Sequence, residues 1–294
     1  MGYPLKRQPS KIRHNDTLNR VFPLRLIVVS SYLERIAEAH RSAASQDQRD
    51  LDKLMERALG CEPTLPFIGT LSTATTNGLG LIAEIKRASP SKGLLAPDLV
   101  PEVMASLYAK EGASCISVLT DSEFFQGSGE DLVGVKSAVK LPVLRKDFTV
   151  CVADICDARV MGADAVLLIV AMLDETELEL LLETSRTLGI DALVEVHSED
   201  ELHVALAYGA ELIGVNRRNL ATFEIDPNIA ENLISFIPES VVAVAESGIS
   251  KPEDAELLAK VGYDAILVGE AFITASDPAT TIRAMHGHDI CERT

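Results

Sequence analysis

Four segments of the chain share one pattern, in which a glycine is followed by small or polar residues and then by an apolar run. The segments are "EGASCISVL" at 111–119, "MGADAVLLI" at 161–169, "YGAELIGVN" at 208–216 and "VGYDAILVG" at 261–269. A glycine adopts the left-handed conformation that ends many helices at little cost. The apolar run that follows is typical of a strand buried on both faces, as in a parallel sheet. The pattern therefore predicts a repeated unit of helix and strand.

The spacing of this pattern indicates how many strands the fold contains. Gly112, Gly162, Gly209 and Gly262 lie 50, 47 and 53 residues apart, and one strand–helix unit takes only about half that length. A further strand is expected in each interval, where the chain reads "LPVLRK", "DALVEVH" and "VVAVAE", and "LIAEI" precedes the first repeat. Eight units predict an α/β fold, the (β/α)8 TIM barrel. A doubly wound open sheet would need a glycine-rich fingerprint after its first strand, and "KRASPSKG" is not one.

The segments between the strands have helical patterns. The segment "DETELELLLETSRTLG" carries leucines at the spacing of one buried helix face, namely Leu178, Leu181, Leu182 and Leu188. The segment "SEDELHVALAYG" opens with Ser198 and has Glu201 three residues later, which is a capping-box signature. The helical pattern of residues 30–70, before the first strand, predicts an extra N-terminal helical segment.

Charge divides the chain into an arm and a barrel domain. Residues 1–25 hold six Lys or Arg and one Asp, a charge of +5, whereas the whole chain carries −17 and the remainder therefore −22. We expect residues 1–29 to be a basic, flexible arm. We expect residues 30–294 to form a single barrel domain that includes the extra helices.

The composition excludes several classes of protein. A net charge of −17 argues against a nucleic-acid partner, and no uncharged apolar run of about 18 residues is present for a membrane span. The five cysteines include no pair at the two-residue spacing of zinc or redox sites, which favours a reducing cytoplasm. The "HGH" at 286–288 has no third ligand nearby, so we expect no metal site. We expect a monomer or a weak homodimer.

Ionisable side chains follow the predicted strands at their carboxyl ends, where the active sites of such barrels form. Glu84 and Lys86 lie two positions apart at the end of the first strand, so their side chains point to the same face. Lys146, Glu195 and Glu246 end the third, fifth and seventh strands. Structural ion pairs are the alternative, but desolvation makes buried pairs poor stabilisers. We therefore expect two lysines and three carboxylates in one pocket that shifts their pKa values towards the working pH.

The last two strand ends predict a phosphate site. "ESGISKPED" places Ser247 and Gly248 shortly before a helix, and "VGEAF" places Gly269 and Glu270 at the start of another. Backbone N–H groups at helix N-termini bind anions, and the loops after strands 7 and 8 hold phosphate in many barrels of this fold. The alternative is that these glycines only form turns.

Seven motifs, in this order along the chain, resemble the indole-3-glycerol-phosphate synthase family: "IAEIKRASPSKG", "SVLTDSEFFQGS", "LPVLRKDF", "ADAVLLIV", "LVEVH", "IGVNRRNLATFEID" and "AESGI". The resemblance runs from about residue 31 to 275. It implies a (β/α)8 barrel with an extra N-terminal helical segment. It also implies conversion of 1-(2-carboxyphenylamino)-1-deoxyribulose 5-phosphate into indole-3-glycerol phosphate, CO2 and water in tryptophan biosynthesis, by a carboxy-lyase without metal or organic cofactor.

The resemblance also implies roles for the residues at the strand ends. Lys146 would be the general acid that protonates the ketone oxygen of the substrate, a task that suits a lysine if burial or nearby cations lower its pKa. Glu195 would assist the later proton transfers. Lys86 would hold the substrate and act as a second acid, with Glu84 orienting it or serving as a base. Asn216 would hold hydroxyls of the ribulose chain and the lysines.

Further residues would bind the substrate according to the same resemblance. Those assigned to its anionic groups, hydroxyls and aromatic ring are Ser89, Pro90, Phe125, Phe148, Leu168, Arg218, Leu220 and Glu246. Those assigned to its phosphate, largely through backbone groups, are Ser247, Gly248, Gly269 and Glu270. The only partner that we expect is this small phosphorylated molecule.

Two segments depart from the family pattern. After "RKDF" the chain reads "TVCVADICDARVMG", where an Asp-Pro-aromatic helix start is common, and Gly129–Glu130 stands where a bulky apolar residue is common. Both lie behind the expected catalytic rim, so we expect changed packing there. The alternatives are another phosphate-binding barrel, which would lack an "EIKRASPSKG" strand, and a catalytically silent barrel that acts as a binding subunit.

Overall fold

Eight parallel strands close into a barrel in the computed structural model of the protein, which describes residues 32–75, 78–219 and 222–286. The strands are β1 (Gly80–Ile85), β2 (Cys115–Leu119), β3 (Val143–Lys146), β4 (Ala165–Ile169), β5 (Asp191–Val196), β6 (Leu212–Asn216), β7 (Val242–Glu246) and β8 (Ala265–Val268). Consecutive strands pair with each other, and β1 pairs with both β2 and β8, which closes the sheet. The predicted (β/α)8 fold is confirmed.

Helices precede the barrel and surround it. Those of the described residues are α1 (Tyr32–Gln46), α2 (Leu51–Leu59), α3 (Phe67–Ala74), α4 (Pro101–Lys110), α5 (Ser122–Phe125), α6 (Gly129–Ala138), α7 (Val152–Met161), α8 (Glu175–Leu188), α9 (Glu199–Ala207), α10 (Asn228–Leu233), α11 (Pro252–Val261), α12 (Glu270–Ile273) and α13 (Pro278–His286). Short 3-10 turns cover Val170–Met172 and Ile234–Phe236. Within this part of the chain, no helix has the length and apolarity that crossing a membrane requires.

Helices α1, α2 and α3 lie where the extra N-terminal segment was predicted. Helix α2 packs against α7 on the outside of the barrel, and α3 packs against β1. The predicted basic arm, residues 1–29, lies outside the described residues.

The helix boundaries follow the capping signals of the sequence. The four repeat glycines all have positive φ, at 103° for Gly112, 90° for Gly162, 76° for Gly209 and 110° for Gly262. Helix α9 begins after Ser198, whose hydroxyl accepts a hydrogen bond from the backbone N–H of Glu201 at 3.2 Å. The four leucines predicted to be buried in α8 are buried.

Side chains along each strand alternate between the barrel interior and the layer below the helices. In β4, Ala165, Leu167 and Ile169 belong to the interior cluster, whereas Val166 and Leu168 pack in the outer cluster. Alternation is a consequence of the pleat, because successive Cβ atoms point to opposite faces of a sheet. The residue parity in each strand therefore decides which side chains can reach a site inside the barrel.

The two departures from the family pattern pack against each other. Gly129 opens α6, and a Cβ added to it would lie 3.0 Å from the Met161 methyl group at the end of α7. Glycine at position 129 therefore leaves room for the large, flexible side chain of Met161. At the start of α7, the Asp154 carboxylate accepts hydrogen bonds from the N–H groups of Val150 and Cys151 at 2.9 and 3.1 Å, which caps the helix.

Candidate active site

A cavity of about 510 Å³ opens at the carboxyl ends of the strands, a volume within the usual range for small-ligand sites. The five predicted catalytic residues all line it: Glu84, Lys86, Lys146, Glu195 and Asn216. Each occupies an interior position of its strand or of the strand's continuation. Alternation along the strands and the meeting of four strand ends, those of β1, β3, β5 and β6, thus bring them together.

At the centre of the cavity one ammonium group lies between two carboxylates. Lys146 Nζ donates hydrogen bonds to Glu195 Oε2 at 2.8 Å and to Glu246 Oε2 at 2.9 Å. Asn216 Nδ2 donates to the other oxygen of Glu195, Oε1, at 3.0 Å. The carboxylates are almost completely buried, with side-chain exposures of 3% and 2%. Glu195 is therefore fixed in orientation through both of its oxygens.

A second ion pair stands at the end of β1. Lys86 Nζ donates to Glu84 Oε1 at 2.7 Å, and the two side chains are 16% and 7% exposed. This is the same-face pairing that the two-residue spacing predicts. The site therefore contains two lysines and three carboxylates, as the strand ends predicted.

A lysine that acts as a general acid near neutral pH is expected to have a lowered pKa. The pKa of Lys146 is raised instead. Burial lowers the pKa of this ammonium group, but the carboxylates of Glu195 and Glu246 outweigh burial and hold the pKa well above its usual value. The expectation that burial or nearby cations lower it is wrong, because the closest charges are negative.

The two carboxylates differ in their readiness to take up a proton. Burial raises the pKa of Glu195, but the Lys146 ammonium and His197 outweigh it and hold the pKa well below its usual value. Burial and the neighbouring Glu195 carboxylate raise the pKa of Glu246 to about 7 in spite of Lys146. Of the two carboxyl groups, Glu246 is therefore the one that takes up a proton more readily.

His197 is a neighbour of the site residue Glu195 that the sequence analysis missed. Its Nε2 lies 3.4 Å from Glu195 Oε1, a charge contact without hydrogen-bond alignment, and its Nδ1 lies 3.1 Å from Glu201 Oε2. Burial lowers the pKa of His197, but these two carboxylates raise it to about 10. An imidazolium thus adds positive charge beside Glu195. The spacing "VEVH" could have shown this, because residues two apart on a strand share a face.

Aromatic and apolar side chains form one wall of the cavity. Phe125 and Phe148 face it with ring centroids 6.0 Å apart, and Pro90 lies at its rim. The placement of Leu168 at this wall is wrong: it is fully buried in the outer layer, and its neighbours Leu167 and Ile169 line the cavity instead. Leu168 has the outward parity of β4.

The extra helix α1 supplies a part of the wall that the sequence did not predict. Tyr32, Leu33 and Ile36 line the cavity, so α1 lies across the mouth of the barrel. Leu220, the remaining residue assigned to the aromatic ring, lies outside the described residues.

Two side chains fasten α1 to the barrel rim. Arg41 donates to a carboxylate oxygen of Glu177 at 2.6 Å and to the Met172 carbonyl at 2.8 Å. His40 Nε2 pairs with Asp121 Oδ2 at 3.0 Å. His40, Asp121 and Asp147 also have possible metal-ligand atoms within 4.8 Å of one another. Because Asp147 already accepts hydrogen bonds from Thr120 and Arg145, we interpret the group as an anchor of α1.

The residues predicted to hold phosphate lie together at one end of the cavity. Ser247, Gly248, Gly269 and Glu270 all line it. Ser247 and Gly248 both have left-handed backbones, with φ of 67° and 69°. A Cβ on Gly269 would lie 2.6 Å from Glu84 Oε1, so the glycine is required for close approach. The Glu270 carboxylate pairs with Lys92 at 3.1 Å, which leaves the backbone N–H groups of the α12 N-terminus for an anion.

The loop after β1 covers the other side of the cavity. It forms a short hairpin, Ala88–Ser89 with Gly93–Leu94, and is fixed by paired hydrogen bonds from Arg87 to Asp131. Ser89 Oγ is buried and accepts or donates no hydrogen bond within the described residues. Arg218 lines the cavity from β6 and donates to the Phe223 carbonyl at 3.1 Å. Both assigned anion-binding residues therefore lie at the cavity.

Comparisons with known proteins show what the chain is similar to. A family model described as "Indole-3-glycerol phosphate synthase" matches residues 33–285. The chain is 46% identical over 243 residues to the indole-3-glycerol phosphate synthase of Chlorobium chlorochromatii, with 82% of this chain and 94% of the relative covered. It is 45% identical over 255 residues to that of Mycolicibacterium smegmatis, covering 86% and 93%. It is 42% identical over 264 residues to that of a Polaromonas species, covering 89% and 100%.

A solved structure supports the fold alone. The thiamine phosphate pyrophosphorylase of Pyrococcus furiosus aligns with a TM-score of 0.54 at 19% identity, covering 73% of this chain and 96% of that one. At an identity this low, the likeness shows the barrel architecture and gives no information about activity.

Proposed function

The chain belongs to the indole-3-glycerol phosphate synthase family, and we propose that it is a carboxy-lyase whose lysines and glutamates carry the proton transfers. Its function is that of an indole-3-glycerol phosphate synthase in tryptophan biosynthesis. The reaction converts 1-(2-carboxyphenylamino)-1-deoxyribulose 5-phosphate into indole-3-glycerol phosphate, CO2 and water. The observation that supports the assigned residues is the Lys146 ammonium between two buried carboxylates at the cavity centre.

Lys146 acts in ring closure. The aromatic carbon attacks the ketone carbon, and the carbonyl oxygen takes the Lys146 proton and becomes a hydroxyl group. The raised pKa of Lys146 is compatible with this step, because the oxygen that forms is an alkoxide and more basic than an amine. The ammonium charge, in a cavity with little water, also stabilises the negative charge as it develops.

Proton loss from Lys146 prepares Glu195 for the next step. While Lys146 is charged, it holds the pKa of Glu195 low. Once the ammonium has become a neutral amine, that attraction ends and the buried carboxylate becomes a better base. After CO2 has left, Glu195 takes the proton that must be removed for dehydration. Lys86, paired with Glu84, gives its proton to the departing hydroxyl, which leaves as water.

The remaining contacts hold the substrate for this chemistry. Ser89 and Arg218 bind its anionic groups, and Glu246 and Asn216 bind ribulose hydroxyls. The phosphate lies at the Ser247–Gly248 turn and the α12 N-terminus, and the aromatic ring lies between the apolar walls. We propose no metal, organic cofactor, nucleic-acid or membrane partner, a monomeric or weakly dimeric state, and a cytoplasmic location.

The absence of tryptophan from the sequence makes the test simple, because a newly formed indole is not masked by the protein's own fluorescence. Purified protein is mixed with the carboxyphenylamino-deoxyribulose phosphate, with and without a chelator, and indole emission is followed. Growth of emission that the chelator does not change supports the proposal. A flat trace from folded protein would indicate the catalytically silent barrel.

A further inference from the structure

Arg217, directly after β6, is a buried charged residue that the mechanism above does not use. It is 5% exposed. Its Nε and Nη2 both donate hydrogen bonds to the carbonyl oxygen of Ser247, at 3.0 and 2.7 Å. The cavity is lined by Ser247 and Gly248 but not by Arg217. The guanidinium therefore supports the Ser247–Gly248 peptide from behind.

The Arg217 charge has no close counter-charge within the part of the chain that the structure describes. The side-chain hydrogen bonds of its guanidinium go to the Ser247 carbonyl. Burial lowers the pKa of Arg217, and the attraction of Asp254 offsets burial only in part. A buried cation without a partner is costly, because the lost hydration is not replaced. An anion bound at the adjoining Ser247–Gly248 turn would compensate for the lost hydration of the guanidinium.

Arg159 shows what a buried arginine with a structural role looks like in this protein. It is also 5% exposed, and it donates to the Leu188 carbonyl at 3.0 Å and to the Glu62 carbonyl at 2.9 Å. Leu188 is the last residue of α8, where the helix dipole carries partial negative charge. Arg159 thus has a compensating partner at the opposite end of the barrel from the cavity, whereas Arg217 does not.

The geometry of the turn explains how Arg217 can act on a ligand that it does not touch. Ser247 adopts a left-handed backbone, which residues with a side chain seldom do without support. In a trans peptide the C=O and the following N–H point in opposite directions. With the Ser247 carbonyl held by Arg217, the Gly248 N–H points away from the guanidinium. No residue described in the structure accepts a hydrogen bond from this N–H, and Gly248 lines the cavity.

We propose that Arg217 is a positioning residue of the phosphate end, which fixes the Ser247–Gly248 peptide with its N–H towards the phosphate and contributes positive charge that the phosphate dianion neutralises. This rests on the proposed function, since the phosphate end was assigned there. No covalent step is involved. The effect is on binding, so Arg217 is expected to influence KM more than kcat.

Three variants of the full chain test the proposal. Arg217→Met removes the charge and both donors at similar volume, and Arg217→Lys keeps the charge without the paired donors. Arg159→Met is the matched control, because it removes the same groups from an equally buried site. For each variant, KM and kcat are measured, together with the shift in unfolding midpoint that inorganic phosphate causes relative to chloride at equal ionic strength.

The expected results separate a phosphate effect from a loss of stability. Arg217→Met should raise KM by at least about tenfold and change kcat by less than about threefold. It should also abolish the phosphate-induced shift, and Arg217→Lys should fall between it and the wild type. Arg159→Met should lower the unfolding midpoint but leave KM and the phosphate shift unchanged.

Other outcomes would overturn the proposal. These are a wild type that phosphate does not stabilise, an Arg217→Met protein with normal KM and phosphate shift, and an equal loss of the shift in Arg159→Met. If Arg217→Met does not fold, the same measurements of KM and of the phosphate shift on Arg217→Lys test the proposal. A wild type that makes no indole would refute the proposed function alone, because the phosphate shift and its loss in Arg217→Met are measured without turnover.

Discussion

Replacing Lys146 by Met should affect catalysis and stability through different physical effects. The substitution keeps most of the volume but removes the ammonium group that lies 2.8 and 2.9 Å from the carboxylates of Glu195 and Glu246. General acid catalysis contributes about 10²–10⁴-fold, so the single-turnover rate should fall by that factor, or about 3–5 kcal/mol of transition-state stabilisation.

The stability cost of Lys146→Met should depend on pH. Removing one partner of a buried ion pair costs about 3–5 kcal/mol when the remaining charge stays ionised. Here two carboxylates would face each other, and the pKa of Glu246 is already raised to about 7 by burial and Glu195. Without Lys146 it rises further. A carboxyl group whose pKa is higher in the folded than in the unfolded state loses stability as the pH rises between the two values.

The destabilisation by Lys146→Met should therefore be larger near about pH 8 than near about pH 5. Urea unfolding of wild type and variant at both pH values measures it. Lys146→Arg is the control: its guanidinium keeps the positive charge but does not give up a proton. It should lose activity to a similar extent and stability much less.

Two results would refute this reasoning. Near-normal single-turnover formation of indole by Lys146→Met would show that Lys146 is not the general acid. A stability difference that is the same at both pH values would show that the remaining carboxyl groups do not take up a proton in its place.

Three further predictions concern the cavity, the outer layer and α1. Gly269→Ala should lower kcat/KM by at least about tenfold, because its Cβ would lie 2.6 Å from Glu84 Oε1; unchanged steady-state kinetics would contradict that close approach. Leu168→Ala should cost about 2–5 kcal/mol of unfolding free energy with little change in KM, since Leu168 is buried outside the cavity; urea unfolding and kinetics of one sample check both, and a raised KM would return it to the aromatic wall. Burial lowers the pKa of His40, but its hydrogen bond to Asp121 outweighs burial and the net shift is upward. Its stabilisation is thus complete below about pH 6.5 and is lost as the pH rises through the folded-state pKa. His40→Gln should therefore destabilise more in acidic than in alkaline buffer, and equal unfolding free energies of wild type and variant in both would refute the pairing.

Local periodicity predicted the fold because it acts over a few residues. The recurring glycines mark helix ends, and the apolar runs mark strands with both faces buried, so eight units could be counted without knowing any contact. The pairing of Glu84 with Lys86 followed in the same way, from two positions on one strand. Leu168 shows the limit of transferring a role by motif alone, since the parity of its strand places it on the outer face.

Local periodicity could not predict which charged groups surround each site residue in the folded protein. Glu246 is 100 positions from Lys146 along the chain, and Glu195 is 49 positions away. Whether the pKa of a buried lysine rises or falls depends on which charges lie within a few ångströms, and closure of the barrel determines that. For the same reason, no pattern in "VNRRNL" indicated that Arg217 turns back to hold Ser247.

The sequence by itself therefore determined the number and order of the strands and the shared face of Glu84 and Lys86, because these are properties of neighbouring residues. Only the tertiary structure decided that Lys146 lies between two carboxylates, that α1 covers part of the cavity mouth and that Arg217 lies behind the Ser247–Gly248 turn. These features are Coulombic and steric interactions between distant segments, and they exist only once the sheet has closed.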